Sequence, residues 1–324
     1  MTAAPTPRLS HRIEFVALRG LTFAVRRLPY PAALALAWCL ARVFLPFFGP
    51  RIREAHRRIR SVFGPTVSER RVRRIARRSL RNTVFGIVDL LRAATLGRDW
   101  LDRHVEGGAA VRAMKQAFGG GGGILASPHM GAWELSARVG ALHGLRPFSI
   151  AAHQKNALVS DYINALRNET GMPILVRGRD TLREAIRRLR NGEVMAILPD
   201  LRKPTPGLEV PFLGGQANVA DGMAALARAA GVPIVPFYCL RSGWTRHRIV
   251  ASPPVRPDPT AAKRADIERM TRDVFAVMDA AIRAHPEQWF WHNRRWVLDP
   301  LRLPEQEQGA PLAAGDSDGD GNPD

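Results

Sequence analysis

The stretch "GGGILASPHMGAWELSARVGAL", residues 121–142, changes at one point from a continuous apolar run to a helical repeat. The run from Gly122 to Ser127 has the length and composition of a buried strand. Apolar residues then recur at helical spacing from Trp133 to Val139. His129 lies between the two patterns, so the stretch predicts a strand, a turn that carries the histidine, and a helix.

The same alternation continues along the chain. Further apolar runs with strand character are Pro147 to Ala152, Pro173 to Gly178, Glu193 to Asp200, Val232 to Leu240 and His247 to Ser252. Helical patterns occupy residues 179–192 and 217–231, and each ends on a glycine. This order predicts an α/β fold with a central mixed sheet flanked by helices, and with functional groups on the loops at the strand ends.

The N-terminal part has a different composition. An apolar segment from Leu28 to Pro50 is followed by the arginine-rich runs Arg51 to Gly64 and Ser68 to Asn82. We therefore predict a membrane-associating helical region over residues 1–50, which spans the bilayer or lies flat on it. A buried core helix is the alternative for this segment. The basic flank favours a cytoplasmic position for everything downstream, at the bacterial inner membrane.

The remainder is predicted to divide into two parts. Residues 51–302 form the catalytic domain, of which 51–105 are a basic helical part. Residues 303–324 have too few apolar side chains to pack and are predicted to be a disordered acidic tail. The tail's "DSDGDGNPD" resembles the start of a calcium loop but stops before the glutamate that such a loop needs, so we predict no metal site.

The net charge of +19 predicts an anionic partner, which could be a membrane face, a phosphorylated substrate or a nucleic acid. A nucleic-acid-binding protein is the interpretation from a different functional class. Its weakness is that the basic runs flank an apolar segment and that no nucleic-acid-binding motif is present. Two cysteines allow neither a disulfide framework nor a cysteine-rich zinc site, which suits a reducing compartment.

His129 lies five positions before Glu134. Nine histidines and 29 acidic residues among 324 make about one His-x4-acid pair expected by chance, so the spacing alone is not significant. On one continuous helix, positions i and i+5 diverge by about 140°. With His129 in a turn and Glu134 in the first helical turn, the two side chains can meet. Glu134 would then hold one imidazole nitrogen while the other removes a proton from a hydroxyl nucleophile.

Several other catalytic templates are absent from the sequence. It contains no Gly-x-Ser-x-Gly elbow, no Walker lysine loop and no His-Glu-x-x-His helix. The glycine run at residues 119–123 fails the dinucleotide fingerprint, because Ile124 occupies the sixth position. We expect this run and the start of the following helix to supply backbone amides to a developing oxyanion.

The motif "HMGAWE" resembles the His-x4-acid box of the lysophospholipid acyltransferase superfamily, in particular the glutamate-bearing branch of the lipid A lauroyl and myristoyl acyltransferases. Three further blocks are similar to that branch in order and content. They are "RGRDTLREAIRRLRNGEVMAILPD", "VPFLGGQANVADGMAALARAAGVPIVPFY" and "PEQWFWHNRRW". The resemblance covers roughly Ile13 to Leu301.

The resemblance implies a membrane-associated O-acyltransferase that needs no cofactor and no metal. The donor would be an acyl-carrier-protein or coenzyme A thioester, and the acceptor a hydroxyl of an anionic lipid or a lipid A precursor-like glycolipid. It implies His129 as general base with Glu134 as its partner, and it places Arg179, Arg183 and Asp200 at the substrate site. A phosphatidylinositol mannoside-like glycolipid or a lysophospholipid remains an alternative acceptor.

Overall fold

The computed structural model describes residues 8–45, 49–152 and 155–299. Its helices are α1 (Leu9–Arg27), α2 (Tyr30–Phe44), α3 (Gly49–Phe63), α4 (Glu69–Arg92), α5 (Arg98–His104), α6 (Gly108–Phe118), α7 (Trp133–Leu142), α8 (Ala157–Glu169), α9 (Thr181–Arg190), α10 (Gly222–Ala230) and α11 (Lys263–Ala284). Its strands are β1 (Val105–Glu106), β2 (Gly123–Ala126), β3 (Pro147–Ala151), β4 (Ile174–Val176), β5 (Val194–Ile197), β6 (Leu208–Phe212), β7 (Gly215–Val219), β8 (Ile234–Arg241) and β9 (His247–Ala251). The predicted acidic tail lies outside the described residues.

The strands form a seven-stranded sheet in the order β1-β9-β8-β2-β5-β3-β4. The five strands from β8 to β4 run parallel to one another, while β9 pairs antiparallel with β8. This arrangement confirms the mixed sheet flanked by helices, and each predicted strand run contains or overlaps a strand of it. The hairpin of β6 and β7 was not predicted. Its strands pair only with each other, and a turn with Leu213 and Gly214 at positive φ joins them.

Helices cover both faces of the sheet. Successive strand residues point to opposite faces, so neighbouring residues of one strand pack against different helices. Ile124 of β2 faces the apolar cluster that contains residues of α9, α10 and α11. Its neighbour Leu125 faces a second cluster, built with α6 and α7. Helix α9 shows why such segments are helical, since its apolar residues Ala185 and Leu189 are fully buried while Arg183, Arg187 and Arg190 are exposed. Because β2, β5 and β3 are neighbouring parallel strands, their carboxyl ends lie side by side, and the loops that follow them can meet there.

The N-terminal helices pack on α4, which begins at Ser68 with a side-chain cap on the backbone amide of Arg71. A buried cluster ties these helices to the sheet. The Tyr30 hydroxyl donates to Asp89, and the Arg241 guanidinium donates to the other oxygen of the same carboxylate. Burial raises the pKa of Asp89, and the charge of Arg241 opposes that rise. The first turn of α2 is thus part of the protein core.

The rest of α2 and the outer face of α1 carry exposed apolar side chains. On α1 these are Leu9, Ile13, Val16, Leu21 and Phe23, and on α2 they are Leu36, Leu40, Val43 and Phe44. Among the described residues, no single helix has both the length and the apolar composition to cross a bilayer, and α2 and α3 meet those criteria only when the bent pair is counted together. One end of the apolar segment is thus buried in the core, as in the alternative interpretation, and the other end is exposed, while association with a membrane stays a prediction.

The glycine run lies between α6 and the amino end of β2, whereas His129 lies beyond the carboxyl end of the same strand. The prediction that it supplies oxyanion donors is therefore wrong. Packing explains Gly122 and Gly123 of the run instead. A Cβ atom at Gly122 would lie 2.0 Å from the carbonyl oxygen of Leu189, and one at Gly123 would lie 2.1 Å from the Phe118 ring.

The turn after β2 is fixed on both sides by backbone hydrogen bonds. The Gly131 amide donates to the Gln288 carbonyl at 2.9 Å, and the Ala132 amide donates to the Cys239 carbonyl at 2.8 Å. Gly131 has φ of +61°, and a Cβ atom there would stand 1.9 Å from the Cys239 oxygen. Glycine is required at this position for two independent reasons, the backbone conformation and the close approach of β8.

We predict that Gly131→Ala destabilises the protein by at least about 1–3 kcal/mol, the usual cost of a non-glycine residue held in such a conformation. The added methyl group also forces the turn away from β8. Thermal unfolding of the purified variant checks this. The matched control is Gly222→Ala at the start of α10, where a Cβ atom meets nothing within 4 Å and where φ is not positive. Equal stability of the two variants would contradict the description of the turn.

Candidate active site

His129 lies just beyond the carboxyl end of β2, and Asp200 lies just beyond the carboxyl end of the adjacent strand β5. The imidazole Nδ1 of His129 lies 2.6 Å from Oδ1 of Asp200, and the His129 backbone amide donates to Oδ2 at 2.8 Å. An ionised carboxylate only accepts hydrogen bonds, so Nδ1 carries the proton of a neutral ring. The other ring nitrogen, Nε2, is then the basic one.

Asp200 is almost completely buried, yet it is held in its charged form. Burial by itself would raise the pKa of Asp200, but the charge and hydrogen bonds of His129 and the Trp289 indole N–H lower it below the ordinary value. The sequence resemblance placed Asp200 at the substrate site. The structure gives it a closer relation to the histidine, because it is the carboxylate that orients the ring.

Glu134 lies in the first turn of α7, as predicted, but its carboxylate is directed to a different partner. Oε1 accepts from Nη2 of Arg167 at 2.6 Å and from the Trp133 indole at 3.3 Å, while Oε2 accepts from Nε of Arg167 at 3.3 Å. The expected direct contact with the His129 ring is thus replaced by the contact with Asp200. The physical reason is that the His129 turn follows β2 toward β5, whereas α7 turns Glu134 toward α8.

Arg167 was not predicted from the sequence. It lies in the last turn of α8, and burial alone would lower its pKa, but the charge and hydrogen bond of Glu134 raise it. The guanidinium stays charged beside the site. A single arginine in an amphipathic helix gives no sequence signal, because its partner lies 33 positions away along the chain.

His129, Glu134 and Arg167 all line one cavity of about 850 Å³. Six of its wall residues are buried apolar side chains on the face of the sheet covered by α6 and α7, namely Val111, Met114, Leu125, Leu145, Phe237 and Ile249. The cavity therefore combines an apolar interior with a histidine and an ion pair. That combination suits a molecule with a long apolar chain and a polar reacting end.

The arginines predicted for the substrate site lie outside this lining. Arg179 is exposed on the loop before α9, and Arg183 is 89% exposed with only a 3.9 Å contact to Asp180. Two other arginines, Arg177 and Arg295, do line the cavity. Arg177 lies two positions before Arg179 on the same loop, and residue spacing cannot tell which side chain of a short loop faces inward. The roles of Arg179 and Arg183 stay predictions.

No group of three or more histidine, cysteine, aspartate or glutamate side chains suited to a metal ion occurs in the described part of the chain. The side chains around the cavity include the bare Nε2 of His129 and guanidinium groups, which as a class can bind anions.

Comparison with known proteins identifies the family of the chain. The profile for bacterial lipid A biosynthesis acyltransferase matches residues 5–297. The chain is 26% identical over 303 residues to the lipid A biosynthesis lauroyltransferase of Escherichia coli (strain K12). The aligned region covers 89% of this chain and 92% of that protein. It is 28% identical over 189 residues to the phosphatidylinositol mannoside acyltransferase of Mycobacterium tuberculosis (strain CDC 1551 / Oshkosh), which covers 55% of each. Because the profile spans most of the chain, the protein is an acyltransferase of the bacterial lipid A biosynthesis acyltransferase family.

Proposed function

We propose that this acyltransferase moves a fatty acyl chain from an acyl-carrier-protein or coenzyme A thioester to a hydroxyl of a lipid A precursor-like glycolipid. The observation that carries the proposal is the His129 ring, oriented by Asp200, on the wall of a largely apolar cavity. A phosphatidylinositol mannoside-like glycolipid is the second candidate acceptor, favoured by the similarity to a mycobacterial enzyme of that name. A lysophospholipid is the third. The nucleic-acid alternative has no support from the family.

His129 acts as general base in the proposed reaction. Its Nε2 takes the proton of the acceptor hydroxyl while the oxygen attacks the thioester carbonyl, and Asp200 stabilises the imidazolium that forms. The tetrahedral intermediate then collapses. The new C–O ester bond remains, the C–S bond breaks, and the imidazolium returns its proton to the departing thiolate. No covalent acyl-enzyme forms in this sequence.

Glu134 keeps a proposed role at the site, although that role is indirect. It holds Arg167 at the cavity wall through two hydrogen bonds, so that a guanidinium charge faces the reacting region. A fixed cation there stabilises the negative oxygen of the intermediate or a substrate phosphate. The first-turn amides of α7 are further candidates for the oxyanion, because the helix begins at Trp133.

The apolar part of the cavity is proposed to hold the donor chain. Its apolar walls stabilise the chain by burial, and the thioester end is left at His129. Arg177 and Arg295 are proposed to bind an anionic group of the acceptor or of the carrier, since guanidinium groups bind phosphate in a bidentate manner. Arg179 and Arg183 remain candidates for outer contacts with the same anionic group.

The direct test is a transfer assay. Purified protein is mixed with a saturated acyl thioester of acyl carrier protein or coenzyme A and with each of the three acceptors, and mass spectrometry detects the added acyl group. We expect transfer with one acceptor, and we expect His129→Ala to lose about 10²–10⁴-fold in rate, the usual contribution of a general base.

His143→Ala is the matched control for this assay. His143 also pairs with an aspartate, Asp102, at 3.2 Å, but it does not line the cavity, so its loss should leave the rate unchanged. A His129→Ala protein that folds normally and keeps more than about a tenth of the rate would refute the general-base role. If no acyl group is transferred to any of the three acceptors, the proposed function is refuted.

Association with an anionic membrane is the other part of the proposal. The exposed apolar faces of α1 and α2 suit burial among lipid headgroups, and α4, on which both helices pack, exposes Arg70, Arg73, Arg74, Arg77 and Arg78 to solvent. Basic residues near an apolar helix face add attraction to anionic lipids of about 1 kcal/mol each. We therefore place the protein on the cytoplasmic face of the bacterial inner membrane, with α1 lying in the interface plane.

We predict that Ile13→Asp combined with Val16→Asp lowers binding to vesicles of anionic phospholipid at least about tenfold at high salt, because both side chains lose burial in the interface. Vesicle sedimentation at low and high salt measures this. The control is Val176→Asp, which adds a charge at an exposed apolar position on β4. If the double variant binds vesicles as well as the wild type does at high salt, α1 does not contact the membrane.

A further inference from the structure

Trp289 has a different environment from the other tryptophans of its cluster. Trp289, Trp291 and Trp296 are all buried and contact one another edge to face or at tilted angles. The indole of Trp291 donates to the Pro286 carbonyl, a local backbone contact. The indole of Trp289 donates instead to Oδ2 of Asp200 at 2.8 Å. Trp289 therefore contacts the His129–Asp200 pair directly, through Asp200.

The indole hydrogen bond fixes the rotation of the Asp200 carboxylate. Oδ2 receives the Trp289 indole and the His129 backbone amide, which leaves Oδ1 directed at the His129 ring. Rotation of the carboxylate about its Cβ–Cγ bond would break these hydrogen bonds together. A hydrogen bond to a charged acceptor is stronger than one between neutral groups, so the indole gives the carboxylate a defined orientation.

The same segment also fixes the backbone of the histidine turn. Met130 and Trp289 form an antiparallel bridge, in which the Phe290 amide donates to the His129 carbonyl at 3.1 Å and the Gly131 amide donates to Gln288. The segment is itself anchored to α4, because the Ser79 hydroxyl donates to the Trp289 carbonyl at 2.5 Å. One short stretch of chain therefore positions both partners of the pair.

We propose that Trp289 is a positioning residue for the acyl-transfer reaction, which acts by holding the Asp200 carboxylate in the orientation that aligns His129. The inference rests on the proposed function of the His129–Asp200 pair. It assigns a role in the reaction to a tryptophan of the C-terminal aromatic block, whose side chain does not contact the large cavity. Trp291 is also buried, but its indole donates only to the backbone carbonyl of Pro286.

Trp289→Phe keeps most of the ring packing and removes the indole donor. We expect kcat to fall about tenfold, in line with the loss of one hydrogen bond to a charged group, while the KM for acceptor stays unchanged. Trp291→Phe should leave kcat within about twofold of wild type once folding is confirmed, because its N–H serves only the Pro286 carbonyl.

A double-mutant cycle separates positioning from packing. If Trp289 acts through Asp200, then Trp289→Phe has little further effect on kcat in an Asp200→Asn background. An equal fold-loss in both backgrounds would overturn the proposal, since a packing defect is independent of Asp200. The cycle is also measured on unfolding, where coupling of Trp289→Phe with Asp200→Asn is expected and additivity would count against it. The unfolding measurement tests the interaction of Trp289 with Asp200 even if the transfer assay shows no activity.

A second variant covers the case in which Trp289→Phe fails to fold. Replacement of Trp289 by 3-benzothienylalanine keeps the shape of the two rings and substitutes sulfur for the N–H group. The same tenfold loss of kcat is expected for this residue. A folded benzothienyl protein with wild-type kcat would overturn the proposal, because only the donor is missing.

Discussion

The structure around the active site depends on one buried carboxylate. Asp200 accepts hydrogen bonds from the ring and the backbone of His129 and from the Trp289 indole. Burying an unpaired carboxylate is costly, so the three donors that hold Asp200 in its charged form are a condition of the fold as well as of the chemistry. They come from the loop after β2 and from the C-terminal aromatic segment, and Asp200 follows β5. The carboxylate therefore joins parts of the chain that are distant in sequence.

Much of the fold could be predicted from the sequence, because the signals involved are local. The apolar runs that become the parallel strands are short and bounded by turn residues, and the helices between them repeat apolar residues at the expected spacing. The position of His129 in a strand-to-helix turn followed from the same reasoning. The β6–β7 hairpin was not predicted, since its strands pair with each other at the side of the main sheet and show no continuous apolar run.

The partners within the site could be predicted only in part, for a geometrical reason. Glu134 is five positions from His129 and is close in sequence, whereas Asp200 is 71 positions away and becomes its neighbour only because β2 and β5 pair in parallel. Register between distant strands is a tertiary property. The same holds for Arg167, which meets Glu134 from α8, and for Arg177, whose direction depends on the course of a loop. The resemblance to the acyltransferase family named Glu134 and Asp200 but not the contacts that they make.

The most direct test of the account is the protonation state of the His129 ring, observed by NMR in protein labelled with ¹⁵N at histidine. At a pH where the ring is neutral, we expect the proton on Nδ1 and a bare Nε2, because Asp200 accepts from Nδ1. Asp200→Asn should mix the two tautomers, and Glu134→Gln should leave them unchanged. A wild-type ring protonated at Nε2, or a tautomer that responds to Glu134→Gln and not to Asp200→Asn, would contradict the assignment of Asp200 as the partner of the proposed base, His129.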